Sequence, residues 1–260
     1  MTILNKEKMM AKWTLISIMM ILLFAPVFAQ NEQMTEDEEF PVDLTGPQPE
    51  IVVPEQRFDF GFSPEGYYLV HSFKVRNAGE GELRIQRVRT TCGCTNAPMK
   101  KMQLEPGEET EVTVVFNSAR YFHKTSKSAI INSNDPVNRS IRVTFSADMD
   151  STGLPLNVVP RALDIPRGED PPKQMVFKIE NPTESEVELE IIDYTADVFG
   201  VPKLKDKKLK PGKSTELTLE LCTDYDCAAT YIKASVTLEA KGIPGDPLFF
   251  TIPVKGSGPQ

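Results

Sequence analysis

The chain repeats one pattern of short apolar runs and turns at a nearly fixed offset, and this duplication is the feature that most constrains its fold. The first copy contains FKVRN (73–77), LRIQRV (83–88) and LEPGEETEVT (104–113); the second contains FKIEN (177–181), ELEIID (188–193) and LKPGKSTELT (209–218). The offset is 104 residues at the first block and 105 at the last. A repeat of this length corresponds to a whole domain rather than to one unit of a solenoid.

Within each copy, apolar residues alternate with polar residues over short segments that turn residues separate. In the first copy the alternation covers 68–76, 110–116, 127–132 and 140–147, with turn signals such as Pro106-Gly107 between the segments. A period of two is typical of strands with one buried face. Short strands at a spacing of about ten residues, without a long helical pattern, predict an all-β fold of two tandem immunoglobulin-like antiparallel β-sandwiches.

The N-terminal segment 1–29 has the pattern of an export signal. Three lysines precede an uncharged apolar segment, 13–28, and Ala29 closes a small-x-small sequence. The apolar segment is shorter than the about 20 residues that a membrane-spanning helix needs. We therefore predict cleavage after Ala29, which leaves no transmembrane segment and makes the protein secreted or periplasmic; the alternative is a retained anchor.

The remaining chain divides into a tether and two domains. Residues 30–49 are acidic, contain prolines and have few apolar residues, which predicts a disordered tether. The sandwiches are predicted at 50–149 and 154–260, and the short linker 150–155 predicts that they are arranged end to end. The whole chain has a net charge of −8, and the first 29 residues carry three lysines against one glutamate, so the rest has a charge near −10. This acidity argues against nucleic acid as a partner.

The first copy resembles the bacterial domain of unknown function 1573 family over about 52–148. The motifs that carry the resemblance are FDFG (58–61), FKVRNAG (73–79), CGCT (92–95), LEPG (104–107) and NSNDP (132–136). The resemblance implies an immunoglobulin-like sandwich related to the hydin and major-sperm-protein group, in exported proteins of Bacteroidetes-type bacteria. It implies no assigned activity. The second copy lacks the CGCT element and is a diverged relative.

The Cys92-Gly93-Cys94 element is the main candidate for chemistry. On a regular strand, the Cα atoms of residues i and i+2 are about 6.5–7 Å apart, at the upper limit for a disulfide. A bond between the two cysteines therefore requires the chain to bend at Gly93. Three interpretations stay open: two buried, mostly inert thiols at the end of a strand, a redox-active disulfide, or a soft-metal site for Cu(I), with Met99 and Met102 following and His71 or His123 nearby.

The other two cysteines, Cys222 and Cys227, bracket a short loop between two predicted strands. They are expected to face each other across the ends of a hairpin. An oxidising exported compartment would join them, so the sequence predicts a Cys222–Cys227 disulfide that stabilises this turn.

The sequence contains no recognisable catalytic set. With two histidines and neither GxSxG nor HExxH, it predicts no enzyme activity, no cofactor and no metal site. An aromatic and basic segment, named here the contact loop, is a candidate contact patch and consists of Arg120, Tyr121, Phe122, His123 and Lys124. We therefore predict a non-catalytic exported binding or scaffold protein that engages a protein or a cell-envelope component. The alternative is a thiol-redox or copper-handling protein that uses Cys92 and Cys94.

Overall fold

The structure is a computed structural model that describes residues 45–149, 151–167, 169, 171–222, 231–245 and 247–256. Its described part consists almost entirely of strands and loops, with a 3₁₀ turn at Ser151–Gly153. The prediction of an all-β sandwich fold is confirmed. The predicted export signal and most of the predicted tether lie outside the described residues.

The first copy of the repeat forms a sandwich of two sheets. Its strands are β1 (Ile51–Val52), β2 (Arg57–Phe62), β3 (Tyr68–Asn77), β4 (Leu83–Thr90), β5 (Thr95–Asn96), β6 (Gln103–Leu104), β7 (Glu109–Asn117), β8 (Thr125–Ser133) and β9 (Ser140–Asp148). One sheet has the order β1-β3-β7-β5, and the other runs β2-β9-β8-β4-β6. The apolar faces of the two sheets meet in a core in which Phe60, Phe73, Phe116 and Phe145 are fully buried.

The second copy repeats this architecture. Its strands are β10 (Asn157–Val159), β11 (Leu163–Ile165), β12 (Gln174–Glu180), β13 (Val187–Tyr194), β14 (Lys203–Leu204), β15 (Lys208–Leu209), β16 (Ser214–Glu220), β17 (Ile232–Lys241) and β18 (Leu248–Gly256). One sheet has the order β10-β12-β16-β14, and the other runs β15-β13-β17-β18, with β11 beside β18. Phe177, Phe199 and Phe250 are buried in a separate core.

The asparagine that ends the FKVRN and FKIEN blocks has the same role in both copies. The Asn77 side-chain amide donates hydrogen bonds to the carbonyls of Gly81 (2.8 Å) and Leu104 (3.0 Å). Asn181 donates in the same way to Ser185 (2.8 Å) and Leu209 (2.9 Å). Each asparagine therefore joins the turn after its own strand to a short strand of the other sheet, β6 in the first copy and β15 in the second.

Not all strand pairs are antiparallel as predicted. β2 pairs with β9 in parallel, and β11 pairs with β18 in parallel. A parallel pair needs a long crossover connection. In each copy the intervening strands provide it, so the first strand of the larger sheet lies beside the last one.

Residues 45–49, which belong to the segment predicted as a tether, contact the first sandwich. The Gln48 carbonyl accepts hydrogen bonds from the backbone N–H groups of Glu80 and Gly81, each at 3.0 Å, and Pro49 is buried. These turn N–H groups need acceptors, and the residues before β1 supply them.

The two sandwiches meet through a broad contact, named here the joint, instead of touching only end to end. Phe62 at the end of β2 pairs with Phe250 of β18, so the larger sheets of the two copies form one continuous sheet. The edge of β3 lies against the outer face of β17 and β18. In the part of the chain that the structure describes, no helix combines the length and apolar character needed to cross a membrane.

Candidate functional site

The cysteine element lies where the chain crosses between the two sheets of the first sandwich. Thr91 follows β4 and its backbone N–H donates to the Ser128 carbonyl at 3.0 Å, which holds the loop to β8. Three residues later the Cys94 carbonyl accepts from the backbone N–H of Asn117 at 2.8 Å, which holds the loop to β7 in the opposite sheet. The sequence between these points must turn sharply, and Gly93 lies at its centre.

Cys92 and Cys94 form a disulfide in the structure, with their Cα atoms 5.2 Å apart. The loop bends at 91–94, so this distance is shorter than on a regular strand and within the usual range for disulfides. Both cysteines are half-buried, and their sulfurs lie 3.5 and 3.7 Å from the hydroxyl of the buried Thr95. The structure thus contains the bonded form of the pair, and its redox activity stays a prediction.

The contact loop is anchored by one of its own aromatic residues. The Tyr121 ring packs 5.3 Å from the ring of Phe116, and the Lys127 ammonium lies 4.6 Å above it. Tyr121 is therefore half-buried rather than presented to solvent. Phe122 is 64% exposed, and the exposed His123 and Lys124 follow it.

The contact loop and the disulfide lie at the same end of the first sandwich. Phe116, near the end of β7, pairs with Thr95 of β5 and packs against Tyr121. The next residue, Asn117, holds the Cys94 carbonyl. The sequence elements that were predicted separately are thus brought together around the end of one strand.

Cys222 is half-buried, and its predicted disulfide with Cys227 stays a prediction. Its Sγ donates to the Ala196 carbonyl at 3.6 Å, and its backbone N–H donates to the Val198 carbonyl at 2.9 Å. Cys227 lies outside the described residues. Nor do three or more His, Cys, Asp or Glu side chains of the described chain come together as a metal site.

The joint contains functional groups that the sequence analysis missed. The Ser235 hydroxyl on β17 accepts from the Val70 backbone N–H at 3.0 Å and donates to the Val70 carbonyl at 3.3 Å. The Thr251 hydroxyl on β18 donates to the Phe60 carbonyl at 2.6 Å. The sequence of β17 contains a sign of this contact. Ser235 and Thr237 occupy the outward positions of the strand, where a solvent-exposed strand usually carries charged residues. Both are buried in the structure.

A buried histidine crosses the joint beside these hydroxyls. His71 is 6% exposed, stacks on the Phe58 ring at 3.7 Å, and places Nδ1 2.9 Å from Asp193 of the second domain. Its Nε2 lies 3.4 Å from a carboxylate oxygen of Glu55. The alternation over 68–76 places His71 in a predicted strand but gives no sign of a contact between the domains.

Charged groups surround the rest of the joint. The Arg161 guanidinium donates to the Phe62 carbonyl at 2.9 Å, and burial lowers the pKa of Arg161 to about 10. At the surface, the hydrogen bond from Lys100 to Asp197 (3.1 Å) raises the pKa of Lys100.

Residues 51–149 match the family described as protein of unknown function (DUF1573), in agreement with the resemblance of the first copy. Among curated proteins, none matches the chain. In fold, the chain is similar to a protein of unknown function from Porphyromonas gingivalis W83, with 16% identity and a TM-score of 0.34 over 79% of this chain and 98% of that one. It is also similar to the periplasmic chaperone SfaE, with 12% identity and a TM-score of 0.32 over 80% of this chain and 100% of that one.

Proposed function

We propose that this chain, whose first domain belongs to a family of unknown function, is an exported, non-catalytic binding protein. Its contact loop would engage a protein or another component of the bacterial cell envelope. The observation that carries the proposal is the exposure of Phe122 on a loop that Tyr121 anchors to the core. Exposed aromatic residues on a rigid base are typical of residues that dominate binding interfaces. The export signal predicted at 1–29 supports the location.

The test places a photo-crosslinking amino acid at Phe122 in the full chain, expressed in cells. The matched control places it at Val137, an apolar residue of a different loop that is 84% exposed. We expect a discrete adduct with another envelope component from position 122 and none from position 137. Equal labelling from both positions, or an adduct that contains only a second copy of this chain, would contradict the proposal.

Thiol–disulfide exchange is the second candidate function, and the half-buried Cys92–Cys94 disulfide favours it. A thiolate of a partner dithiol would attack one sulfur, form a mixed disulfide and release the other cysteine as a thiolate. The second partner thiol would then resolve the mixed disulfide. The partner is oxidised to a disulfide, and Cys92 and Cys94 gain two electrons and two protons as thiols. Cu(I) capture would require the same reduced pair.

This candidate is tested by incubating the purified chain with dithiothreitol and counting exposed thiols. Exchange predicts that two thiols per chain appear in the wild type and that Cys92→Ser/Cys94→Ser lacks this pair while it remains folded. A wild type in which these cysteines stay oxidised until the protein unfolds would assign them a structural role.

A further inference from the structure

The joint is a contact that the chain can repeat with a second copy of itself, because both halves of the joint occur twice. In the joint, the edge of β3 is the donor half and the outer face of β17 and β18 is the acceptor half. We propose that chains associate head to tail, with the β12 edge of one chain bound to the β8–β9 face of the next. This proposal does not rest on the partner of the contact loop.

The centre of the acceptor half is Ser235, which binds both backbone groups of Val70. Thr195 holds this serine in place. The Thr195 backbone N–H donates to the Ser235 carbonyl at 3.0 Å, and the Ser235 backbone N–H donates to the Thr195 hydroxyl at 3.0 Å. These two reciprocal hydrogen bonds therefore identify the residue at the centre of the acceptor half.

The same arrangement occurs in the first domain around Ser128. The Thr91 backbone N–H donates to the Ser128 carbonyl at 3.0 Å, and the Ser128 backbone N–H donates to the Thr91 hydroxyl at 3.2 Å. Thr91 and Thr195 are 104 residues apart, the offset of the repeat. Ser128 is thus the structural equivalent of Ser235, and its hydroxyl contacts that of Thr144 at 3.2 Å.

The face that carries Ser128 borders a cleft of about 450 Å³. Ser126, Thr144 and Ser146 of this face line the cleft, together with Ile192 and Phe249 of the second domain. Ser128 itself is half-buried. Hydroxyls of this face are therefore accessible to a strand edge beside Ser128.

One position of the acceptor face has different residues in the two copies, but both copies place a hydrogen-bonding side chain there. Two residues after Ser235, Thr237 pairs with Thr251, the donor to the Phe60 carbonyl. Two residues after Ser128, Ile130 pairs with Arg142. A guanidinium can donate to a backbone carbonyl just as a threonine hydroxyl does.

The donor half is repeated in β12. Val70 corresponds to Gln174 at the offset of the repeat. On the side of β12 away from β16, β10 pairs only with 178–180. Within the described chain, 174–177 therefore have no strand partner on that side. An unpaired edge is a ready site for association.

Charged residues lie on both halves. Lys173 and Lys178 flank the donor edge, and Glu55, Arg57 and Asp59 line the acceptor cleft. Because the donor and acceptor lie on different domains, the contact is heterologous, and its repetition builds assemblies that grow chain by chain unless the rotation between chains closes a ring.

The test is sedimentation velocity of the purified full chain over a concentration series. Ser128→Arg blocks the acceptor face, and Gln174→Pro removes the edge N–H at the first residue of a strand, where proline is tolerated. We expect a concentration-dependent ladder for the wild type. Each variant alone should have a dissociation constant for self-association that is about tenfold higher or more, so it should be monomeric at concentrations at which the wild type associates. An equimolar mixture of the two variants should form dimers and nothing larger, because each retains the half that the other lacks.

The control is Val137→Arg, an exposed substitution outside both halves, which should associate like the wild type. Ser126→Arg provides a second acceptor variant if Ser128→Arg unfolds, and thermal melts verify folding. A wild type that stays monomeric at its highest soluble concentration overturns the proposal, and so does a mixture without dimers. Crosslinking of Phe122 to an envelope component would persist in that case, so the two proposals fail separately.

Discussion

At the scale of single residues, the two copies differ most informatively at one core position. His71 in the first copy corresponds to Met175 in the second at the offset of the repeat, and both are buried. Methionine satisfies such a position by packing alone, whereas a buried imidazole needs hydrogen-bond partners. Asp193 supplies one at 2.9 Å from the other domain. The histidine thus ties the core of the first domain to the second.

Replacing Asp193 by alanine should destabilise the protein, because His71 Nδ1 would lose its partner in a buried site. The expected loss is about 1–3 kcal/mol in the free energy of unfolding, measured by urea denaturation. Asp193→Asn should lose less, since an amide oxygen can still accept from the imidazole.

Asp197→Ala is the matched control for this prediction. Asp197 also makes an ion pair across the joint, with Lys100 at 3.1 Å, but its side chain is 70% exposed. Exposed ion pairs contribute little, so we expect a change within about 0.5 kcal/mol. Equal losses in the two alanine variants would show that burial of His71 is not what gives Asp193 its importance.

At the scale of elements, the sequence predicts strands well and contacts between domains poorly. Alternation over 140–147 predicts β9, which the structure extends by one residue to Asp148, because side-chain periodicity is a local property. The joint is not local: Val70 and Ser235 are separated by 165 residues. The Cys92-Gly93-Cys94 element is predicted only in part. A bond between its cysteines requires a bend at Gly93, but the sequence leaves three chemical states of the pair open.

The edge of β3 provides a test of the hydroxyl contacts in the joint. Ser235→Ala removes the partner of both backbone groups of Val70, which is buried. We expect a loss of about 1–3 kcal/mol in the free energy of unfolding. Ser128→Ala changes the equivalent residue of the other copy, where the hydroxyl contacts only Thr144 within the described chain. It should leave monomer stability nearly unchanged, and a similar loss in both variants would be inconsistent with this assignment.

The junction of β2 with β18 depends on a glycine. Gly61 has φ +60°, and a Cβ atom there would lie 1.8 Å from the Phe249 carbonyl oxygen. Gly61→Ala should therefore cost more than about 3 kcal/mol, as expected for an overpacked and strained site. Gly107 has φ +81° with open space around it, so Gly107→Ala should cost only the backbone strain of about 1–2 kcal/mol. Equal midpoints of thermal unfolding for the two variants would contradict this reading of the junction.

At the scale of the whole molecule, the joint determines whether two cores behave as one unit. Each domain has its own buried cluster, which by itself would allow independent unfolding. The joint opposes this, because opening it would break the hydrogen bonds of Val70 and His71 to Ser235 and Asp193 and expose to water the apolar surface that the joint buries. Exposing apolar surface to water is unfavourable, so the folded domains resist separation.

The wild type should consequently unfold in a single calorimetric transition, with equal calorimetric and van't Hoff enthalpies. Asp193→Ala/Ser235→Ala removes both partners from the joint while leaving the two apolar cores intact, and we expect its transition to separate into two. The control Asp197→Ala/Ser128→Ala changes the same residue types at exposed or uncoupled positions and should keep one transition. Two transitions in the wild type would show that the joint does not couple the domains. One transition in the double variant of the joint would mean that the covalent linker and the β2–β18 pairing set the cooperativity instead.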